Sequence, residues 1–420
     1  MDTPDRQTGR PHTRWLLAWE MGSGLGHWAG LTAVASQALA RGIEPVMVVP
    51  TLAPSGLRAP EGARLIACPP MVQQGNAPGG TSSMTELLAT QGFGNSQTLE
   101  PPLRAWRDLI TLLQPDAVIA DHAPGALAVA QALAVPAVQL GTGFACPPAN
   151  EARLPSFRTW ETPDGLAMTR AEINVSQALA AVSRALDLPR LPQSAAAIYR
   201  TPAVLRTLPG LDHYPARPPG ARYCGPLEVA SDEGSTGTAP AWPEDTVAAE
   251  RSRRKRVLVY VKADHPHAVM IMQALAGRPD VFVHAYIANV GTINNVAKNI
   301  AVHPKPLPLK SMLPEADLLI HHGGAGATSQ ALLAGVPQLL LPQMAEQFLT
   351  GRLLENLAAG QLLWGNQDGN AIAQALHQAL QSAALRDGAR KAAADHAQFG
   401  GDNAARALQM IDESLRSPTL

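Results

Sequence analysis

The sequence predicts an α/β protein built from two Rossmann-like, doubly wound parallel sheets that face across a cleft. Three observations carry this prediction. Short apolar runs alternate with helix-length stretches on both sides of a polar spacer, and such alternation builds parallel sheets. Aromatic residues make up only 4% of the chain, while alanine and leucine dominate, which suits helices packed on sheets. Two glycine-rich turns, one ending at His27 and one beginning at His322, each follow an apolar run and precede a helical stretch. At 420 residues the chain exceeds one ordinary core and suits two domains of roughly 150–200 residues each.

Residues 1–13 are polar and contain proline, without the apolar stretch of a signal peptide, and are expected to be disordered. The first domain is expected over residues 14–227. It opens with a strand at 15–19, a turn at 22–27, a helix over 29–40 broken at Arg41 and Gly42, and a strand at 45–49. Residues 71–99 are rich in Gly, Asn, Gln and Ser without a clear period, and read as a long loop. A second unit follows, with a strand at 117–121, a helix over 126–133 and a strand at 136–140; a last strand is expected at 221–227. Residues 228–255 read as a linker rich in Ser, Gly, Thr, Pro and Glu. The second domain, 256–420, starts with a strand at 256–261, and its last helix is expected to pack back on the first domain. Within it a strand ends at His321. A glycine turn opens a helix that stops at Gly335, Val336 and Pro337, and a strand follows at 338–342.

Composition excludes several classes. Lys plus Arg number 33 against 34 for Asp plus Glu, so no basic face is forced and nucleic acid is not an expected partner. The 3 cysteines lie far apart without a Cys-x-x-Cys pair, which argues against a disulfide framework or zinc site and for a cytoplasmic setting. No segment offers about 20 uninterrupted apolar residues, although a peripheral membrane contact is compatible with the composition.

The chemistry concentrates at strand ends. His27 follows the first strand, Asp121 ends the strand at 117–121, and His322 follows the strand ending at His321. In open α/β sheets ligands bind outside the carboxyl ends of the strands. Two sheets facing each other would bring all three residues to one cleft. The turn at Gly323 and Gly324 exposes backbone N–H groups at a helix start, a seat for phosphate. It is not a P-loop, for no Gly-x-x-x-x-Gly-Lys-Ser/Thr is present. The first turn is a poor dinucleotide site: histidine stands where the third glycine belongs, and no acidic residue ends the second strand. A histidine paired with an aspartate suits deprotonation of a hydroxyl, because imidazole titrates near neutrality and the carboxylate fixes its tautomer.

His322, Gly323, Gly324, Gln330, Gly335-Val336-Pro337, Pro342 and Glu346-Gln347 stand in a pattern that resembles the donor-binding signature of nucleotide-sugar glycosyltransferases. These are the metal-independent GT-B enzymes of glycosyltransferase family 1, including UDP-glycosyltransferases and bacterial antibiotic and rhamnolipid glycosyltransferases. Tyr223-Cys-Gly-Pro226 resembles the end of that family's N-terminal domain, and residues 173–189 resemble its acceptor-domain helix.

The resemblance implies an inverting transfer of a hexose or deoxyhexose from a UDP- or dTDP-sugar to a hydroxyl of a small or lipid-like acceptor. His27 would be the general base and Asp121 its partner. His322, Gly323, Gly324, Ala325, Gly326, Ala327 and Thr328 would hold the diphosphate, Gln330 the ribose, and Glu346 and Gln347 the sugar. No metal and no cofactor are implied. The sequence departs from the family in three ways. Gln330 replaces an acidic residue, which points to a deoxyribose donor; Glu346 replaces aspartate; and no tryptophan stands near residues 305–310 to stack on the base. A nucleotide-sugar 2-epimerase and a catalytically degenerate nucleotide-sugar-binding auxiliary protein are the alternatives.

Overall fold

The structure is a computed structural model that describes residues 13–22, 25–52, 58–72, 81–227, 239–242, 254–262, 265–288 and 297–416. The expected disordered N-terminus lies outside these residues apart from Thr13, as does most of the expected linker. The chain divides into two compact units. Unit 1 is Met1–Arg206, Tyr214–Ala230 and Ala404–Leu420, and unit 2 is Thr207–His213 and Ser231–Asn403.

In unit 1 the elements run β1 (Arg14–Trp19), α1 (Leu25–Ala40), β2 (Glu44–Val49), β3 (Arg64–Ala67), α2 (Met84–Leu88), α3 (Ser96–Leu113), β4 (Ala117–Asp121), α4 (Pro124–Ala132), β5 (Ala137–Gly141), α5 (Gly165–Ala185), α6 (Ala195–Ile198), β6 (Ala203–Leu205) and β7 (Arg222–Tyr223). The strands form one parallel sheet in the order β3-β2-β1-β4-β5-β6-β7. The order reverses between β1 and β4, the point where such sheets open a crevice at their carboxyl edge. The register sets Trp19 level with Asp121 at that edge. Leu17, Met47, Ile119, Val138 and Val204 are fully buried in one cluster with Trp28, Leu31 and Val34 of α1. Strands covered by helices on both faces need such near-continuous apolar runs.

Unit 2 runs β8 (Lys255–Lys262), α7 (Ala268–Ala276), β9 (Val281–Ala288), β10 (Ile300–His303), α8 (Leu309–Met312), β11 (Leu318–His321), α9 (Ala325–Leu333), β12 (Gln338–Leu340), α10 (Ala345–Asn356), β13 (Gly360–Leu362), α11 (Gly369–Gln381) and α12 (Ala383–Asp395). Its sheet is also parallel, in the order β10-β9-β8-β11-β12-β13, and reverses between β8 and β11. The final helix, α13 (Asn403–Arg416), places Ala407, Leu408 and Ile411 in the core of unit 1. Among the described residues, no helix is long and apolar enough to cross a membrane.

Several elements differ from the sequence expectations. His27 lies inside the first turn of α1 rather than in a turn before the helix; Ser23 and Gly24 of that expected turn lie outside the described residues. The expected loop 71–99 contains α2, a π-helical turn at Ala89–Phe93 and the start of α3. Ser83 caps the start of α2, Gly92, at φ +96°, breaks the helical period, and Asn95 restarts it by capping α3. Residues 73–80 lie outside the described residues. Helix α5 begins well before residue 173 because Asp164 accepts from the N–H groups of Leu166 and Ala167. Trp242, placed in the expected linker, is instead buried beside Leu258 and Leu319 of unit 2, its ring 4.5 Å from that of His284. Residues 207–213 group with unit 2, where His213 Nε2 meets Thr350 Oγ1 at 3.1 Å and Gly210 N–H donates to His396 Nε2 at 3.1 Å.

Candidate active site

At the carboxyl edge of the unit 1 sheet, β1 and β4 end side by side and α1 brings His27 across them. His27 Nδ1 lies 3.0 Å from Asp121 Oδ1. Asp121 is fully buried and His27 is 7% exposed, so the contact is sheltered from solvent screening. The Trp19 ring stacks on the imidazole, with centroids 5.0 Å apart and planes 20° apart, which fixes the ring plane. Met21 N–H donates to His122 O at 3.0 Å and ties the two strand ends together. His122 itself sits at φ 49°, a left-handed conformation sparsely used outside glycine. Gly22 passes so close that a Cβ there would lie 2.8 Å from His27 Nε2, so this position keeps Nε2 open only as glycine.

A third side chain joins the pair. Arg206, just past β6, places Nη2 3.0 Å from Asp121 Oδ2 and 3.2 Å from His27 Nδ1. Nδ1 cannot both donate to the carboxylate and accept from the guanidinium. An unprotonated Nδ1 would set two lone pairs 3.0 Å apart, whereas the guanidinium has Asp121 Oδ1, 3.3 Å from Nη2, for its hydrogen. Nδ1–H donating to Asp121 therefore wins, and Nε2 carries the basic lone pair. Burial pushes the Asp121 carboxyl up, but Arg206 and His27 outweigh it and hold it below its ordinary value.

The same edge holds Glu20, whose Oε2 accepts from Gly125 N–H at 2.6 Å and whose Oε1 accepts from Trp106 Nε1. Helix α4 has no side-chain cap of its own at Ala123, and Glu20 fills that role from the next strand. Burial pushes its carboxyl up to about 7 against the Gly125 and Trp106 hydrogen bonds. A Cβ on Gly125 would collide with this carboxylate.

In unit 2 the site is the turn between β11 and α9. Gly323 has φ +90° and packs against Leu340 and Gln347, where a Cβ would lie 3.1 Å and 3.2 Å from their atoms. Gly324 is the N-cap of α9 and supplies no side-chain hydrogen bond. The half-exposed first turn, Ala325, Gly326 and Ala327, thus directs uncapped N–H groups outward. The His322 ring covers Gly324, with Nε2 3.0 Å from the position of a Cβ there.

His321 braces the turn from beneath. It is fully buried, its Nε2 lies 2.9 Å from Gln338 Oε1, and its Nδ1 accepts from Gly323 N–H at 3.3 Å. Gln338 Nε2 then donates to Thr328 O at 3.2 Å. These partners fix the Nε2–H tautomer, and burial pushes the imidazole down to about 3.

The other sequence-selected residues of unit 2 fall around this turn with different roles. Thr328 is buried and its hydroxyl donates to Gly324 O at 2.9 Å, so it holds the turn rather than facing out of it. Gln330 is half-buried on α9. Glu346 lies in the first turn of α10. Gln347 is buried, and its Oε1 accepts from Gln343 N–H at 2.8 Å. His265 donates to Leu341 O at 2.8 Å, and its Nδ1 accepts from His267 N–H at 3.2 Å. Those two histidines shape the start of α7, while Asp264 lies outside the described residues. Sequence reasoning missed Arg206, Glu20 and the His321–Gln338 pair. Their only signal is a polar residue at one end of an apolar run.

Residues 272–400 match the family of the erythromycin biosynthesis protein CIII-like C-terminal domain. The chain is 38% identical over 72 residues to the NDP-glycosyltransferase YjiC of Bacillus licheniformis, a segment covering 17% of this chain and 18% of that protein. It therefore spans less than a fifth of that curated relative's length. Two solved structures are similar over nearly the whole chain. The calicheamicin glycosyltransferase CalG4 has a TM-score of 0.69 at 19% identity, covering 98% of this chain and 100% of that one. The spinosyn rhamnosyltransferase SpnG, complexed with thymidine diphosphate, has a TM-score of 0.65 at 19% identity, covering 94% and 100%. The fold is that of the GT-B glycosyltransferases.

Proposed function

We propose that the chain transfers a hexose or deoxyhexose from a nucleoside-diphosphate sugar to a hydroxyl of a small or lipid-like acceptor, inverting the anomeric centre. The buried His27–Asp121 pair carries this reading, because a solitary binding module has no use for an oriented base. In the reaction the acceptor hydroxyl gives its proton to His27 Nε2 while its oxygen attacks C1 of the sugar. The C1–O bond on the opposite face breaks, and its electron pair leaves with the nucleoside diphosphate. Asp121 stabilises the imidazolium that forms. The N–H groups at the start of α9 and the His322 ring hold the diphosphate as its charge grows. No metal or other cofactor enters this scheme.

Gln330 supports a dTDP-sugar as donor. A neutral amide grips ribose hydroxyls less strongly than a carboxylate, since charge-assisted bonds are about twice as strong, and deoxyribose lacks one of those hydroxyls. SpnG, a similar fold, has been crystallised with thymidine diphosphate, which supports the same choice. The rival with a specific observation behind it is a binding-only auxiliary protein. Thr328 and Gln347 turn their polar groups toward the protein itself, and this leaves fewer contacts for a donor.

Thermal unfolding with a panel of UDP- and dTDP-sugars tests donor binding. A ligand at 100 times its Kd stabilises the folded state by about 2.7 kcal/mol. Stabilisation by dTDP-sugars, followed by acceptor-dependent release of diphosphate, is the expected result. A protein stabilised by nucleotide that releases no diphosphate with any hydroxyl acceptor is the auxiliary protein, and one stabilised by no nucleotide overturns both readings.

A further inference from the structure

We propose that Arg206 is a positioning residue for this reaction: its guanidinium offsets the charge of Asp121, so the carboxylate orients His27 without trapping a proton on it. The inference rests on the assignment of His27 as the base. Its first support is a seat built for the side chain. A Cβ on Gly30 would lie 3.0 Å from Arg206 Cδ and 3.2 Å from Nε, and a Cβ on Gly26 would lie 3.9 Å from Nη1. Gly26 and Gly30 are one turn apart on α1, on either side of His27 in sequence, and the arginine lies along the groove they leave. Its second support is burial. Arg206 is 6% exposed and Asp121 is fully buried, so their attraction is weakly screened.

Charge arithmetic shows what this arrangement does. A buried carboxylate alone beside an imidazole favours the imidazolium, because the pair is then neutral overall. With Arg206 present, Asp121 is already balanced, and a proton on His27 leaves the cluster with an excess positive charge. The base is thereby kept available for a hydroxyl proton. Three further titratable groups stand just past strand ends of this sheet: His122 after β4, Glu20 after β1 and Cys224 after β7. The His122 ring centroid is 6.0 Å from that of His27. Glu20 is engaged by Trp106 and Gly125. The Cys224 thiol beside Arg206 is pushed up to about 12 by burial and stays neutral.

The test is the pH titration of the His27 imidazole by NMR on the full-length protein, with His27→Gln used to assign the signal. Arg206→Met and Arg206→Gln remove the charge. In both, the titration midpoint is expected to move upward by about one pH unit or more, the usual effect of removing a close buried charge. The acid limb of kcat/KM should move with it, and Arg206→Lys should restore most of the wild-type position. A folded Arg206→Met or Arg206→Gln protein whose midpoint stays in place overturns the proposal. If both variants fail to fold, Asp121→Asn supplies the converse. There Arg206 faces His27 alone, so the midpoint must lie below that of Asp121→Asn combined with Arg206→Gln, and equal midpoints in the two overturn the proposal. The titration needs no substrate, so a protein that transfers no sugar still answers it, and failure of the transferase reading is seen separately in diphosphate release.

Discussion

The two turns at the carboxyl edges of the two sheets are held by opposite means. In unit 1 the His27 turn is assembled from side chains far apart in sequence, His27, Asp121 and Arg206, and charge is its organising force. In unit 2 the His322 turn is contiguous, its exposed polar groups are the N–H groups that open α9, and a neutral relay through His321 and Gln338 shapes it. On the proposed reading, the first site handles a proton and needs a tuned side chain. On the same reading the second seats an anion and needs a bare backbone in a fixed shape. The difference predicts that the two respond differently to the same kind of damage.

The largest separation should come from His27→Ala. Turnover, measured by diphosphate release, is expected to drop about 10²–10⁴-fold, the usual worth of a general base, while stabilisation by nucleotide is kept. Loss of both together would break the comparison. Gly323→Ala should do the reverse. A side chain at φ +90° costs on the order of 1–3 kcal/mol, so Tm falls and stabilisation by nucleotide fades, yet the His27 titration is unchanged. Gln338→Leu removes two partners from buried polar groups. The expected loss is about 1–3 kcal/mol, read in a denaturant melt, with faster amide hydrogen exchange confined to the His322 turn.

Acid tests the comparison without any substitution. His321 is pushed down from 6.5 to about 3 in the folded protein, so the unfolded chain binds the extra proton first. Its contribution is complete above 6.5 and is lost as pH falls, by up to about 1.4 kcal/mol for each pH unit. Glu20 has the opposite sign. Its carboxyl is raised from 4.5 to about 7, so its contribution is largest below 4.5 and declines as pH rises through about 7. Hydrogen exchange followed across this range should show unit 2 loosening toward acid, with the α4 start of unit 1 loosening toward neutral pH. Equal protection of both regions at every pH would contradict the assignment.

The same contrast explains what could be read from sequence. The alternation of apolar runs and helices announced two parallel sheets, and β4 falls on residues 117–121 as expected. The His322 turn was legible because its parts are adjacent, so local spacing carries the geometry. His27 and Asp121 were legible as strand-end residues, and the structure brings them into contact. Arg206 was not legible. Strand β6 is only three residues long, its pairing with β5 is non-local, and the glycines that seat the arginine lie far earlier in the chain. The brace under the His322 turn escaped notice because His321 gains its role only through Gln338 on the next strand. Residues 71–99 read as a loop because glycine at φ +96° splits two helices and erases their period.

The His321–Gln338 relay also bears on how the second sheet finds its native alignment. His321 lies level with Leu340, and Gln338 lies level with Leu319, so the two polar groups meet on one face only when β11 and β12 are correctly matched. Sliding one strand by a single residue would flip the glutamine to the opposite face and leave two buried polar groups bare. Among leucines that would tolerate several pairings, this polar couple is satisfied in one register alone. Substitutions that make either position aliphatic should slow the search for the correct pairing even where the final sheet survives.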